Sequence, residues 1–313
     1  MSTYWRPCLP PVRSTTRSPS PPLNVRRLLR EWNLRPDKSL GQNFLVDETI
    51  LRKIATSAQL SPRDVVLEIG AGTGALTQLL ARGAGHVVAL ELDEQLLPIL
   101  THEVSPEENV TVLQGDVLAL DPAEAVKDAR SKLGLSEVTY KVVGNLPYYI
   151  TSAILRHLME ADRRPELMVV TVQYEVARRI VAKPGEMSML AVSVQFYGEP
   201  ELLFRISSGS FYPRPTVDSA VVRIDVHRSP PLGASDAEAF FRVVRAGFSQ
   251  RRKQLHNALS AGLGEVICKD AVADRLDEAG IDHHRRAQTL SVDEWVSLFG
   301  VMRGVIPPAQ APR

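Results

Sequence analysis

Cysteine is scarce in this sequence, with Cys8 and Cys268 the two copies in 313 residues. Two such residues support neither a disulfide framework nor a cysteine zinc site, and their sparseness fits a reducing compartment. No stretch approaches the roughly 18 uninterrupted apolar residues that a membrane span needs, and no apolar signal core stands near the N-terminus. Both absences argue against a membrane protein and against secretion by a signal peptide. Acids are missing from residues 1–30, which hold six arginines. The whole chain has 37 Lys and Arg against 36 Asp and Glu, so without those six the balance is 31 against 36, or −5. A polyanion-binding surface on the folded body must therefore come from local patches. What is present, 44% hydrophobic and 23% charged residues, suits a large globular domain plus a smaller one and excludes collagen-like, coiled-coil and wholly disordered chains.

Six of the 22 prolines fall within residues 1–22. With several Ser and Thr they predict a disordered tail. Its Arg-rich, acid-free composition resembles an organellar transit peptide, and a misassigned start codon or a bacterial extension accounts for it at least as well. From Val25 the text turns helical, with Val25, Leu28, Leu29 and Trp32 on one face, and it breaks at Arg35-Pro36. Strands are expected at residues 65–69, 86–90, 110–113, 139–143, 167–172, 190–196 and 219–226. Helical spacing fills residues 75–81, 94–102, 152–160 and 173–182. Such alternation predicts a doubly wound α/β sheet in which one of the last strands runs antiparallel. After Ser229-Pro230-Pro231 the strand signal stops, and Ser-x-x-Glu boxes at Ser235–Glu238 and Ser291–Glu294 open helical patterns. The expected organisation is a tail at 1–22, an α/β domain at 23–228, a small all-helical domain at 229–303 and a flexible end at 304–313.

Residues 65–74 read Val-Val-Leu-Glu-Ile-Gly-Ala-Gly-Thr-Gly, a buried strand entering a turn at Gly70, Gly72 and Gly74. Glycine lets the backbone turn sharply and lets a ligand lie on bare peptide N–H groups. The spacing G-x-G-x-G differs from the dinucleotide G-x-G-x-x-G, which favours a ligand without pyrophosphate. Glu91, 21 residues after Gly70 at the next strand end, can accept both hydrogen bonds of a ribose diol. Asp116 after the third strand can meet a base edge. A glycine turn alone also serves as a tight structural turn, but the set at successive strand ends fits S-adenosyl-L-methionine.

The second constellation is Gly144-Asn145-Leu146-Pro147-Tyr148-Tyr149. The lone pair of an exocyclic amine on a base is delocalised into the ring, so methylation requires carbonyl acceptors that turn it toward the methyl donor. The Asn145 side chain and the Leu146 carbonyl can supply them, Pro147 stiffens the turn, and Tyr148 can stack on the base. No strong general base is needed, because methylation acidifies the amine and orientation supplies most of the rate. In isolation the same residues also make an ordinary Asn-capped turn.

Phe211-Tyr212-Pro213-Arg214-Pro215 forms a rigid aromatic loop. There Phe211 can wall a base and Arg214 can reach phosphate, or the loop is a packed corner. Arg242, Arg245, Arg251, Arg252 and Lys253, beside Phe240, Phe241 and Phe248, have no acid among them and read as a phosphate-tracking surface or a solvated face. His283-His284 lacks partner ligands nearby in sequence, so no metal site is expected.

Together with Lys38-Ser39-Leu40-Gly41-Gln42-Asn43-Phe44-Leu45 and Ala246-Gly247-Phe248-Ser249-Gln250-Arg251-Arg252-Lys253, these motifs resemble the small-subunit (16S) ribosomal RNA adenine dimethyltransferases from about Asn24 to Phe299. The resemblance implies a Rossmann-like methyltransferase fold and dimethylation of N6 on two adjacent adenines in a hairpin near the 3′ end of that RNA, within a pre-ribosomal particle. It further implies that Asn43 and Leu45 close over the cofactor with Gly70, Glu91, Asp116 and Asn145, and that Tyr148 and Phe211 hold the flipped adenine. Ala71 departs from the Pro common in the family and should keep the turn with less rigidity. A cytoplasmic monomer is expected. The competing readings are a large-subunit adenine methyltransferase conferring antibiotic resistance and a non-catalytic organellar nucleic-acid-binding factor. The block at residues 246–253 and Arg286-Ala287-Gln288-Thr289-Leu290 resemble the small-subunit family, and the intact acceptor turn speaks for an enzyme.

Overall fold

The computed structural model describes residues 24–135 and 139–306, so the expected tail and most of the expected flexible end lie outside the described residues. Two compact units divide the chain: Met1–Ala177 with Glu201–Val226, and Arg178–Pro200 with His227–Arg313. The second unit thus takes in residues 178–200, which the sequence reading had placed in the α/β domain. Among the described residues no helix is long and apolar enough to cross a membrane.

In the first unit, β2 (Val65–Ile69), β3 (His86–Glu91), β4 (Val110–Gln114), β5 (Lys141–Asn145) and β6 (Leu167–Gln173) make parallel neighbours. β9 (Ser219–Val226) pairs antiparallel with β6, as the sequence anticipated for a late strand. The sheet order is β4-β3-β2-β5-β6-β9-β7, with β7 (Gly198–Ile206) on the edge. Every residue of β2 and β3 is buried, the composition expected of parallel strands covered on both faces. Strand order reverses between β2 and β5, and α/β sheets bind ligands beyond the strand C-termini at such a switch point. Gly144 permits the close approach there, since a Cβ on it would stand 2.4 Å from the Ile69 carbonyl oxygen.

Two elements depart from the sequence reading. Residues 190–196, expected as a strand, lie in α8 (Met189–Gln195) and its cap, with the Ser188 side chain accepting from Ala191 N–H. Leu190, Ala191, Val192 and Val194 are buried, so the short helix presents a consecutive apolar run that resembles a buried strand. β7 was missed because Glu199, Pro200 and Glu201 read as a loop; an edge strand tolerates proline where a central one does not. The strand expected at 139–143 sits two residues later, at 141–145.

In the second unit, α9 (Ala234–Phe248), α10 (Leu255–Leu263), α11 (Lys269–Glu278) and α12 (Val292–Met302) enclose an aromatic core. Phe196 stacks on Phe240 at 4.7 Å, and Phe241 and Phe299 meet Phe240 edge-on. The Ser291–Glu294 capping box forms as expected. The first box does not, because Gly233 is the N-cap of α9 and Ser235 falls inside the helix.

Candidate active site

A pocket opens at the C-terminal ends of β2, β3, β4 and β5, within the first unit. After β2 the chain turns through Gly70 and Gly72, whose φ angles of +72° and +58° disfavour any side chain. A Cβ at Gly72 would also lie 3.2 Å from the Phe44 ring, so the bare backbone leaves room for the strand above it. This turn feeds α3 (Ala75–Ala81).

Glu91 ends β3 and is 7% exposed. Its Oε2 accepts from Gly72 N–H at 2.7 Å, and its Oε1 accepts from Leu92 and Asp93 N–H at 2.9 Å each. These bonds lock the glycine turn to the next strand end and fix the carboxylate before any ligand arrives. Burial raises the Glu91 pKa, against the opposing pull of the three N–H donors. Asp116 lines the same pocket, exposed, with Oδ1 accepting from Leu118 N–H.

Asn145 ends β5 and lines the pocket. Its Nδ2 donates to the Asn43 carbonyl at 2.8 Å. That oxygen can only accept, which fixes the amide orientation and leaves Oδ1, buried and without a hydrogen-bond partner, as the open acceptor. Leu146 is 1% exposed and ties its N–H to the Thr171 carbonyl. Pro147 follows, its carbonyl taking the Thr151 hydroxyl at 3.1 Å. The Tyr148 hydroxyl lies 2.6 Å from Ser219 Oγ, which holds the ring in place; burial raises the phenol pKa, so it stays protonated.

The lid of the pocket differs from expectation at two residues. β1 (Phe44–Leu45) pairs antiparallel with β8 (Phe211–Tyr212), so successive side chains face opposite ways. Leu45 and Phe211, 6% and 1% exposed, turn together into the hydrophobic core and do not line the pocket. Asn43 and Phe44 line it instead. Strand alternation makes Phe44 the roof residue that sequence reasoning missed. Tyr149, also passed over, is 60% exposed at the pocket with its ring against Gly41, and Ser219, the Tyr148 anchor, had no signal short of the fold.

Of the charged side chains that line the pocket, both are carboxylates, Glu91 and Asp116. This charge set suits a cationic ligand such as a sulfonium and opposes pyrophosphate. The residues present therefore fit S-adenosyl-L-methionine.

Beneath the glycine turn, Glu68 is fully buried and its Oε2 accepts no hydrogen bond. Burial, opposed by the Thr77 hydroxyl and aided by the Glu91 charge, lifts its pKa to about 8. The folded chain then keeps a proton that the unfolded chain, at the ordinary 4.5, has shed. Stability should fall as pH rises from about 4.5 to about 8, and Glu68→Gln should flatten that slope in urea melts run across the window. A slope unchanged in the variant would place its origin elsewhere.

The expected RNA-contacting side chains divide between the units. Arg214 is exposed in the first, with Nε donating to Ser208 Oγ at 3.0 Å. In the second, Arg245, Arg251, Arg252 and Lys253 are exposed and Arg242 is half-buried on α9. Phe240 and Phe241, beside them in sequence, are core residues, while Phe248 packs on Trp295 at 5.7 Å. Asp282, His283 and His284 bring ligand atoms within 4.8 Å of one another, with Asp282 Oδ1 already 3.0 Å from His284 Nδ1.

The family model for ribosomal RNA adenine dimethylase matches residues 33–303. Ribosomal RNA small subunit methyltransferase A of Dehalococcoides mccartyi is 44% identical over 286 residues, covering 91% of this chain and 94% of that protein. Among solved structures, the 23S rRNA methyltransferase ErmE is 29% identical, with TM-score 0.65 over 83% of this chain and 99% of that one. A dimethyladenosine transferase from Plasmodium falciparum, 23% identical with TM-score 0.71 over 82% of this chain and 96% of that one, shares the fold. The chain belongs to the ribosomal RNA adenine dimethylase family.

Proposed function

We propose that this chain transfers methyl groups from S-adenosyl-L-methionine to N6 of two adjacent adenosines in a hairpin near the 3′ end of small-subunit rRNA, as a cytoplasmic monomer acting on a pre-ribosomal particle. The observation that carries the reaction is the unpartnered, buried Asn145 Oδ1 at a pocket whose charged lining is acidic. Similarity to the small-subunit enzyme at 44% identity, against 29% for the large-subunit one, favours small-subunit RNA.

S-adenosyl-L-methionine supplies an electrophilic methyl on a sulfonium. Glu91 and Asp116 hold the nucleoside end, with the bare Gly70–Gly72 backbone beneath and Asn43 and Phe44 above. Tyr148 offers its face to the flipped adenine. Asn145 Oδ1 and the Leu146 carbonyl accept from the amine N–H groups and turn the lone pair toward the methyl, while Pro147 fixes the turn. Phe211 and Leu45 back the roof strand from the core. Arg214, Arg242, Arg245, Arg251, Arg252 and Lys253 take backbone phosphates.

The test is methyl transfer from labelled cofactor to undermethylated small subunits, followed by mass mapping. Dimethyladenosine at two adjacent 3′ positions is expected; modification confined to large-subunit RNA, or binding without transfer, would overturn the reading. Replacing Arg251, Arg252 and Lys253 together should weaken RNA binding and lower its salt slope by about 2 to 3 charge equivalents. An unchanged slope would return that cluster to a solvated face.

A further inference from the structure

A second cleft, of about 370 Å3, opens on the first unit and shares no lining residue with the cofactor pocket. Arg26 on α1 (Val25–Glu31), Arg52 on α2 (Glu48–Ser57) and Arg82 at the C-cap of α3 line it, with Asn24, Glu48 and Gln78. The three cations come from the termini or surfaces of three separate helices and line one cleft, an arrangement that no i,i+4 pairing along one helix produces.

Only one acid offsets them. Glu48 pairs with Arg52 on the same helix, and among the described residues neither Arg26 nor Arg82 has an ion-pair partner. Three guanidinium groups against one carboxylate leave the lining with a net +2. The Arg26 guanidinium lies over the Tyr212 ring, 5.1 Å from its centroid. The rest of the body is net acidic, so this local excess is the kind of patch that the charge arithmetic required.

The charge also decides the occupant. Residues 1–23 carry three arginines and no acid, a like charge that disfavours this segment as the cleft's occupant. Guanidinium groups supplied by three different helices suit repeated phosphates along a strand, since each donates to phosphate oxygens through a planar fork.

We propose that this cleft is an RNA-contact surface that binds backbone phosphates of the rRNA substrate, separately from Arg251, Arg252 and Lys253 of the second unit. The proposal rests on the reading of rRNA as substrate. Contacts of this kind carry no sequence information; they fix how the RNA lies on the methyltransferase unit so that the target adenine reaches Asn145.

The test is the Arg26→Ala, Arg52→Ala, Arg82→Ala triple variant, bound to a transcribed 3′ fragment of small-subunit rRNA by filter assay from about 50 to about 200 mM KCl. A drop of about 2 to 3 in the salt slope is expected, with affinity for S-adenosylhomocysteine unchanged. The Arg26→Ala, Arg82→Ala double variant keeps the Glu48–Arg52 pair on α2, guards against a folding defect, and should lower the slope by about 1 to 2. Wild-type slope and affinity in the double variant would overturn the cleft. If the slope also stays unchanged on replacing Arg251, Arg252 and Lys253, the RNA reading itself fails; if it changes there alone, only the cleft does.

Discussion

Asn145→Ala should bind S-adenosylhomocysteine within about three-fold of wild type and lose methyl transfer by about 100- to 1000-fold, a scale set by removal of one preorganised polar partner of a reacting group. The expectation comes from how the two ends of the side chain divide their work. Nδ2 is committed to the Asn43 carbonyl at 2.8 Å, and Oδ1 is buried with no partner. An unpaired buried oxygen costs free energy in the free protein, and the cost is recovered when an N–H donor arrives. Alanine removes the acceptor without altering β5, whose hydrogen bonds are made by backbone. Asn145→Asp separates the two roles, since it keeps an acceptor but sets a carboxylate oxygen against the Asn43 carbonyl; it should loosen the roof and weaken cofactor binding more than alanine does. Single-turnover transfer and calorimetric binding read the two effects separately. Near-normal turnover in Asn145→Ala would remove the orienting role.

Glu91→Gln should weaken binding of the same ligand by at least about 100-fold, near 2.7 kcal/mol, although the substitution hardly changes size. The carboxylate accepts three N–H groups, one on Oε2 and two on Oε1. A glutamine amide must place its NH2 either against Gly72 N–H or against the Leu92 and Asp93 pair, so at least one donor faces another donor. The glycine turn then loses its tether to β3 just where the ribose would bind, and one acceptor for the diol becomes a donor. Calorimetry checks the affinity, and a urea melt separates it from loss of fold. Affinity within about three-fold of wild type would dissociate Glu91 from the ribose.

The α/β pattern was legible because parallel strands buried on both faces leave near-continuous apolar runs, as at Val65–Ile69, broken only by Glu68, and residues 167–172, broken only by Thr171, closed by glycine or polar turns. The same logic misled at residues 189–195, where a short helix with Leu190, Ala191, Val192 and Val194 buried carries a run of apolar residues that resembles a strand, and at β7, where Pro200 and flanking glutamates disguised an edge strand. Among site residues, Gly70, Gly72, Glu91, Asp116 and Asn145 were legible because each stands at the end of a strand, and the switch-point rule gathers strand ends. Leu45 and Phe211 were misplaced for one shared reason: in a two-residue ribbon a shift of one position turns a side chain from roof to core, and motif spacing does not record which way it turns.

The sequence by itself determined the parallel strands β2 to β6, the glycine turn, the acceptor turn and the family, because strand burial, positive φ and lone-pair acceptors each demand particular residue types at particular spacings. Tertiary structure alone decided which face of the 44–45 strand roofs the pocket, that Ser219 anchors Tyr148 from 71 residues away, and that residues 178–200 join the helical unit. It also brought Arg26, Arg52 and Arg82 to one cleft from three helices. These are contacts between segments distant in the chain, fixed by packing and pairing across the whole unit, and no local pattern of residues encodes them.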